Sequence, residues 1–352
     1  MTEDPSPNAV NNQQNVQSPD TGIRHVAVAG AGAWGTALAL TAHRAGRRVS
    51  LWAREAEVRA AIFSAGENTP FLPGVALPGE IAVLADIEAA GTADAVLLAT
   101  PAQHLRAALE RLAPALRPGQ PVIVCAKGLE RGSDLLMTEV LREAAPDAAA
   151  AILSGPSFAE DVAAGLPTAI TLAAADLGLA ERLAAALATA AFRPYASGDP
   201  EGVAIGGAVK NVLAIACGIA EGKNFGASAR AALIARGFAE MRRFAVALGA
   251  RPETLNGLSG LGDLVLTCSS AQSRNFAFGL ALGRGEGLAD AIAHARGVVE
   301  GAATARPVVE RAEAMGVAMP ISAAIAALVE GDIEVDAAIA GLLARPLRVE
   351  TD

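Results

Sequence analysis

The stretch His25 to Gly35 reads HVAVAGAGAWG: five residues able to form a short buried strand, then glycines at positions 30, 32 and 35. Gly30, Gly32 and Gly35 fit the spacing G-x-G-x-x-G, with Ala33 and Trp34 between the last two. Each glycine has a physical task. The first permits a tight turn, the second lets the backbone approach a pyrophosphate, and the third allows the next helix to pack closely. The helix that opens there, predicted over Gly35 to Ala45, points its free N–H groups at the anion. A lone match in a glycine-rich chain is weak. The strand-motif-helix frame makes this one a dinucleotide site.

Working outward, further strand-like runs lie at Arg48 to Ala53, Ala95 to Ala99, Pro121 to Ala126, Ala151 to Leu153 and Thr168 to Leu172. Ala-rich helical patterns separate them, as at Gln103 to Leu112 and Leu135 to Glu143. Strands alternating with helices predict an α/β fold with a doubly wound, Rossmann-type parallel sheet. After Pro200 only helical patterns broken by Gly and Pro follow, so a boundary is expected near Gly198. The expected division is a disordered tail over 1–22, a dinucleotide-binding domain over 23–198 and an all-helical substrate domain over 199–348. The tail is Asn, Gln, Pro and Ser without an apolar run, which is neither a signal peptide nor a membrane anchor.

Composition narrows the function. Aromatics make up 3% of the 352 residues, so the interior is built from Ala, Leu, Val and Ile, which suits helices on a sheet. A net charge of −9 gives no surface for a nucleic-acid backbone. Cys125, Cys217 and Cys268 are isolated, with no metal-ligand spacing, so neither a disulfide framework nor a metal is expected. A reducing, cytoplasmic compartment follows.

Of the 28 basic residues only Lys127, Lys210 and Lys223 are lysines, which leaves 25 arginines. Arg never surrenders its proton at working pH, whereas a buried ammonium can shift its pKa into range. The lysines are therefore candidates for proton transfer. Gly202 to Ala220 reads GVAIGGAVKNVLAIACGIA, with Lys210 and Asn211 its only polar side chains. A helix apolar all round is a buried helix. As a membrane span it would carry a lysine near its centre, at a cost of about 3 kcal/mol. Lys127 directly follows the strand PVIVCA, at the carboxyl end where doubly wound sheets bind ligands. Lys223 sits in a polar turn and reads as surface.

Gly257 to Asn275 brings Asp263, Thr267, Arg274 and Asn275 into one stretch. Asp263 and Thr267 are four apart and share a face on a helix. A carboxylate near Lys210 would hold its charged form, and Arg274 offers bidentate bonds to a phosphate. Each has a plainer alternative, a helix cap for Asp263 and a solvated charge for Arg274. SGPSF, from Ser154 to Phe158, is either a turn into a helix or a loop whose amides face a ligand. The second strand ends Trp52-Ala53-Arg54-Glu55. A basic residue there tolerates a 2′-phosphate and an acidic one holds a ribose hydroxyl, so Arg54 favours NADPH while Glu55 leaves NADH open.

The set GAGAWGT, FLPG, AKGLE, SGPSFAED, GLPTAI, GGAVKNV, GLSGLGDLVLTC, QSRN and VVEG, in this order, closely resembles the bacterial NAD(P)-dependent glycerol-3-phosphate dehydrogenase family over residues 23–345. The resemblance implies NADPH- or NADH-dependent reduction of dihydroxyacetone phosphate to glycerol 3-phosphate for phospholipid synthesis, without a metal. It implies that Lys210 gives and takes the proton, with Lys127 and Asp263 completing the polar site. It implies that Gly155, Ser157, Ser273, Arg274 and Asn275 hold substrate, beside Asn211 and Thr267. It further implies that Ala33, Trp34, Arg54, Lys127, Ala159, Arg274, Val298 and Glu300 touch the dinucleotide. Position 54 is often His in the family, and Arg54 departs toward phosphate binding. The partners expected are the small substrate and, at most, a second copy of the chain as a homodimer.

Two rivals remain from the sequence. One is another lysine-dependent reductase of the β-hydroxyacid dehydrogenase or ketopantoate reductase type; the other is an NADPH sensor without turnover. A lactate-type enzyme fits poorly, since His25, His43, His104 and His294 form no constellation.

Overall fold

A computed structural model describes residues 21–295 and 297–346. Of the tail expected over 1–22, residues 1–20 lie outside the described residues, as do positions 347 and 348 of the expected helical domain. Thr21 and Ile23 are already buried at the foot of the sheet.

The first half alternates β1 (His25–Ala29), α1 (Ala33–Arg44), β2 (Arg48–Trp52), α2 (Ala56–Ala65), β3 (Ala82–Leu84), β4 (Ala95–Leu98), α3 (Leu105–Leu112) and β5 (Pro121–Val124). It continues through α4 (Met137–Ala144), β6 (Ala149–Ser154), α5 (Ala159–Ala163), β7 (Thr168–Ala174), α6 (Leu177–Leu187) and β8 (Phe192–Ser197). One eight-stranded sheet results, in the order β3-β2-β1-β4-β5-β6-β7-β8. The order reverses beside β1, where β1 pairs in parallel with both β2 and β4. That reversal opens the crevice in which such sheets bind ligands.

Every residue of β1 and β4 is buried, as expected of central parallel strands covered on both faces. Val26, Val28 and Leu97 pack with α1 and α6 on one face. Ala27, Ala29, Val96 and Leu98 pack with α3 and α4 on the other. Each fully buried Leu or Val contributes about 1.5–3 kcal/mol.

The expectation of a wholly parallel sheet is corrected in one place: β7 runs antiparallel to β6. β8 then pairs in parallel with β7, so the last two strands form a reversed edge unit. The cause is α5, only five residues long, which turns the chain back instead of carrying it across the sheet. The sequence reading also missed β3 and β8. β3 has three residues, and β8 (FRPYAS) is half-exposed and holds Pro194, which edge strands tolerate.

From Pro200 the chain is helical: α7 (Pro200–Gly222), α8 (Gly226–Ala247), α9 (Pro252–Leu255), α10 (Asp263–Cys268), α11 (Arg274–Gly283), α12 (Leu288–His294), α13 (Glu300–Ala314), α14 (Pro320–Val329) and α15 (Val335–Leu343). Asp199 caps α7, accepting from the N–H of Gly202 at 3.0 Å, and Pro200 occupies the first turn. α7 is long and apolar enough to cross a membrane, yet its apolar window is wholly buried inside the protein. α8, α10, α11, α13 and α14 surround it, and its face toward β6 shares the core of the sheet. Glycines permit the tightest crossing. A Cβ on Gly218 would lie 2.1 Å from the Phe276 carbonyl oxygen, and one on Gly279 2.1 Å from that of Ile215.

Candidate active site

The glycine motif forms the turn its spacing predicts. Gly30 has φ 122°, a left-handed conformation, and a Cβ there would sit 2.8 Å from the Ala99 carbonyl. A Cβ on Gly35 would lie 1.8 Å from the Gly30 carbonyl oxygen, so α1 crosses directly over the turn. Nothing lies within 4 Å of where a Gly32 Cβ would be, which leaves the start of α1 open to a ligand. Gly32 itself occupies the N-cap without a side-chain bond to the helix. The indole Nε1 of Trp34 is buried with no partner. These residues fit a dinucleotide.

Sequence reasoning missed the residue that steadies this turn. Asn68 is fully buried, and its Nδ2 donates to the Ala31 carbonyl at 2.7 Å and to the Thr36 hydroxyl at 2.8 Å. It lies in a Gly/Asn/Pro stretch that reads as an ordinary turn, and only its proximity to FLPG could have drawn attention.

Across the crevice, four segments converge on one carboxylate. The loop after β5 brings Lys127, whose Nζ donates to Asp263 Oδ2 at 2.7 Å and to the Gly155 carbonyl at 3.2 Å. The middle of α7 brings Lys210, whose Nζ donates to Asp263 Oδ1 at 2.6 Å and to Thr267 Oγ1 at 2.7 Å. Asp263 and Thr267 share one face of α10, and a π-helical turn over Leu258–Gly262 delivers Asp263 as its first residue. Gly155, at φ 152°, directly follows β6 and turns its carbonyl toward Lys127. The missing side chain of Gly207 lets the Lys127 stem lie against α7, for a Cβ there would be 3.3 Å from Lys127 Cγ.

Asp263 is 1% exposed and Lys210 6%, so the ion pair is sealed from bulk water. Burial lowers the Lys210 pKa to about 8. Asp263 opposes that shift, and the Lys127 charge adds to it. An amine in this state can give and take a proton near neutral pH. The caps considered from sequence do not account for Asp263: it caps nothing and spends both oxygens on the two lysines.

The remaining residues fall into two groups. Asn211 and Asn275 are buried and joined, Asn275 Nδ2 donating to Asn211 Oδ1 at 3.0 Å, while Asn275 Oδ1 accepts from the Gly301 N–H. Ser273 caps α11, accepting from the Phe276 N–H, and so fixes Arg274 and Asn275 in the first turn. Arg274 is exposed, with Nη1 3.0 Å from where a Gly297 Cβ would be. Ser157 Oγ donates to the Gly155 carbonyl at 3.0 Å, and Ala159 starts α5. Glu300 Oε1 accepts from the Ala102 N–H at 3.2 Å, whereas its Oε2 is buried and unpartnered, and burial raises its pKa. Thr304 Oγ1 and Ser154 Oγ are also buried without partners, and nothing in the sequence around either hydroxyl marks it. Val298 is exposed beside Glu300.

Lys223, read as surface, is half-buried and paired at 2.5 Å with Asp336 of α15. Among the described residues no group of three or more His, Cys, Asp or Glu is placed to hold a metal. His25 is bonded to Ser50, and His294 to Glu286.

The model of the NAD-dependent glycerol-3-phosphate dehydrogenase N-terminus matches residues 25–180, and that of the C-terminus matches residues 199–340. The protein of Parvibaculum lavamentivorans named glycerol-3-phosphate dehydrogenase [NAD(P)+] is 57% identical over 328 residues, 93% of this chain and 98% of that one. Its namesake from Bradyrhizobium sp. BTAi1 is 58% identical over 94% of this chain and 99% of its own. The crystal structure of glycerol-3-phosphate dehydrogenase from Coxiella burnetii superposes with a TM-score of 0.87 at 37% identity, covering 92% of this chain and 99% of that one. A ketopantoate reductase from Ralstonia eutropha shares the fold at a TM-score of 0.55 and 20% identity. With both family models matched in sequence order and two lysines meeting on one buried carboxylate, the chain belongs to the NAD-dependent glycerol-3-phosphate dehydrogenase family.

Proposed function

We propose that this chain catalyses the reversible reduction of dihydroxyacetone phosphate to sn-glycerol 3-phosphate, supplying glycerophospholipid synthesis in the cytoplasm. The observation that carries this reading is the Lys127–Asp263–Lys210 array, in which two lysines share one buried carboxylate. Relatives at 57% and 58% identity bear the name of that activity. A cytoplasmic location accords with three free buried cysteines.

A bound nicotinamide cofactor supplies the hydride that reaches C2 of the ketone. Lys210 Nζ gives its proton to the C2 oxygen as the C=O double bond opens, and the neutral amine takes up a proton again before the next turnover. Lys127 stabilises the negative charge growing on that oxygen from a fixed, water-poor position. Asp263 holds both ammonium groups in place and keeps Lys210 from discharging too early. Thr267 fixes the remaining direction of the Lys210 head group. Arg274, Ser273 and Asn275 at the start of α11 bind the substrate phosphate, where an N-terminal helix dipole assists. Binding the phosphate remotely turns affinity into orientation at C2. On the cofactor side, Gly30, Gly32, Ala33, Trp34 and Gly35 would hold the pyrophosphate. Arg54, at the end of the second strand, would meet the adenosine ribose, and Val298 and Glu300 would touch the dinucleotide elsewhere.

All three residues of the array come from one chain, so a homodimer is not needed to complete it. Following reduced-nicotinamide absorbance with dihydroxyacetone phosphate tests the proposal. Substrate-dependent oxidation of NADPH or NADH is expected; no turnover, or turnover of ketopantoate instead, contradicts it.

A further inference from the structure

Lys127 works from an irregular loop that leaves the sheet after β5, so its position depends on whatever holds that loop. Gln103, in the turn between β4 and α3, holds it with both ends of one amide. Its Nε2 donates to the Leu129 carbonyl at 2.8 Å, and its Oε1 accepts from the Arg131 N–H at 3.0 Å. One residue of a neighbouring parallel strand would make the same two bonds, to a carbonyl on one side of Glu130 and an N–H on the other. β4 and β5 pair in parallel, and the side chain continues that pairing past the end of both strands. The helical half closes the loop from the other side. Arg131 Nε and Nη2 donate to the Ala303 and Ala302 carbonyls of α13 at 3.2 and 3.4 Å, and Glu300, at the head of α13, accepts from the Ala102 N–H at 3.2 Å. Gly128 is wedged between: a Cβ there would lie 2.8 Å from Thr304 Oγ1 and 3.1 Å from Ala102 Cβ.

We infer that Gln103 is a positioning residue of this reaction: it sets where the Lys127 ammonium stands, and it acts through Lys127, not through a contact of its own with substrate. Asp263 and the Gly155 carbonyl fix the head group of Lys127, at 2.7 and 3.2 Å. Its Cα is fixed through Leu129 and Arg131, further along the same loop, and both of those are held by the one amide. Were the loop to relax by about 1 Å, the stem could no longer keep Asp263 and face the substrate oxygen together, and a misplacement of that size costs about a hundredfold in rate. Because Ala102 and Gln103 are neighbours, the Glu300 contact and the Lys127 loop share one anchor. The inference rests on the dehydrogenase reading for the task of Lys127, not for its placement.

Gln103→Met, in the full-length protein, keeps the length of the side chain and removes both bonds. It should lower kcat/KM for dihydroxyacetone phosphate by about 10–100-fold, mostly in kcat, and leave NADPH affinity within about twofold of native. In a Lys127→Ala protein, where nothing is left to position, the same substitution should cost less than about twofold. Gln103→Glu keeps the acceptor for Arg131 and loses only the donor to Leu129, so its turnover should fall between native and Gln103→Met, and it carries the same cycle if the Met variant does not fold. Lys127, Lys210 and Lys223 are the chain's only lysines, so carbon-13 labelling at lysine Cε gives three signals. That of Lys127 should shift or broaden in either variant while that of Lys223 stays. Equal fold losses with and without Lys127, unchanged turnover, or an unmoved Lys127 signal overturn the inference. A native protein that fails to reduce dihydroxyacetone phosphate sinks the substrate assignment, and the Lys127 signal then still decides the placement.

Discussion

Lys210 and Asp263 meet 2.6 Å apart in a site where the carboxylate is 1% exposed, and the other oxygen of that carboxylate holds Lys127 at 2.7 Å. A buried charge shared by two cations is costly to disrupt. Removing one partner leaves the others uncompensated, a loss of about 3–5 kcal/mol in comparable pairs.

Asp263→Asn should therefore lower stability by a few kcal/mol, on the order of the loss seen for broken buried pairs, and remove most turnover. It should also shift the pH profile. The carboxylate raises the Lys210 pKa against burial, so its loss moves that pKa below about 8 and shifts the alkaline fall-off of the reduction to lower pH. Denaturant unfolding and a pH–rate series check the two parts separately.

In the native protein, the same pKa fixes the direction of pH dependence. Reduction needs the charged ammonium, so kcat/KM for dihydroxyacetone phosphate should be level below about 8 and fall about tenfold per unit above it. Oxidation of glycerol 3-phosphate needs the neutral amine and should rise through the same range. A reduction rate that climbs with pH contradicts the assignment of Lys210 as donor.

Much of this arrangement is legible in the sequence because its signals are local. HVAVAGAGAWG carries strand, turn and helix in eleven residues, and Lys210 stands out as a charge in an otherwise apolar helix. The pairing of Asp263 with Thr267 follows from helical spacing alone. Other features are set by tertiary context. TAITLAA is apolar whichever way it runs, so the reversal of β7 against β6 leaves no trace in its pattern. Asn68 looks like a turn residue and becomes buried only because the 66–81 segment folds over the glycine turn. That both lysines use the same carboxylate depends on three elements meeting, which spacing cannot express.

The crossing of α7 and α11 makes a stability prediction with an internal control. Gly279→Ala forces a methyl group to 2.1 Å from the Ile215 carbonyl and should cost about 1–3 kcal/mol, lowering Tm. Gly341→Ala, inside α15 with nothing within 4 Å, should instead raise stability by about 0.5–1 kcal/mol.

Cys125, Cys217 and Cys268 are at most 3% exposed. Burial pushes the Cys125 thiol up, and contact with Cys217 together with burial does so for Cys268. A thiol reagent should find no reactive cysteine in the native protein and three after denaturation. Rapid native labelling would mean that the core around α7 opens readily.

Lys210→Arg tests the central claim most directly, because it keeps the charge beside Asp263 and removes only the ability to release a proton. Steady-state turnover of dihydroxyacetone phosphate with saturating NADPH should fall by about 10²–10⁴-fold, while NADPH affinity stays close to that of the native protein. An arginine variant that retains more than about a tenth of native turnover would contradict the account, since guanidinium cannot serve as the donor.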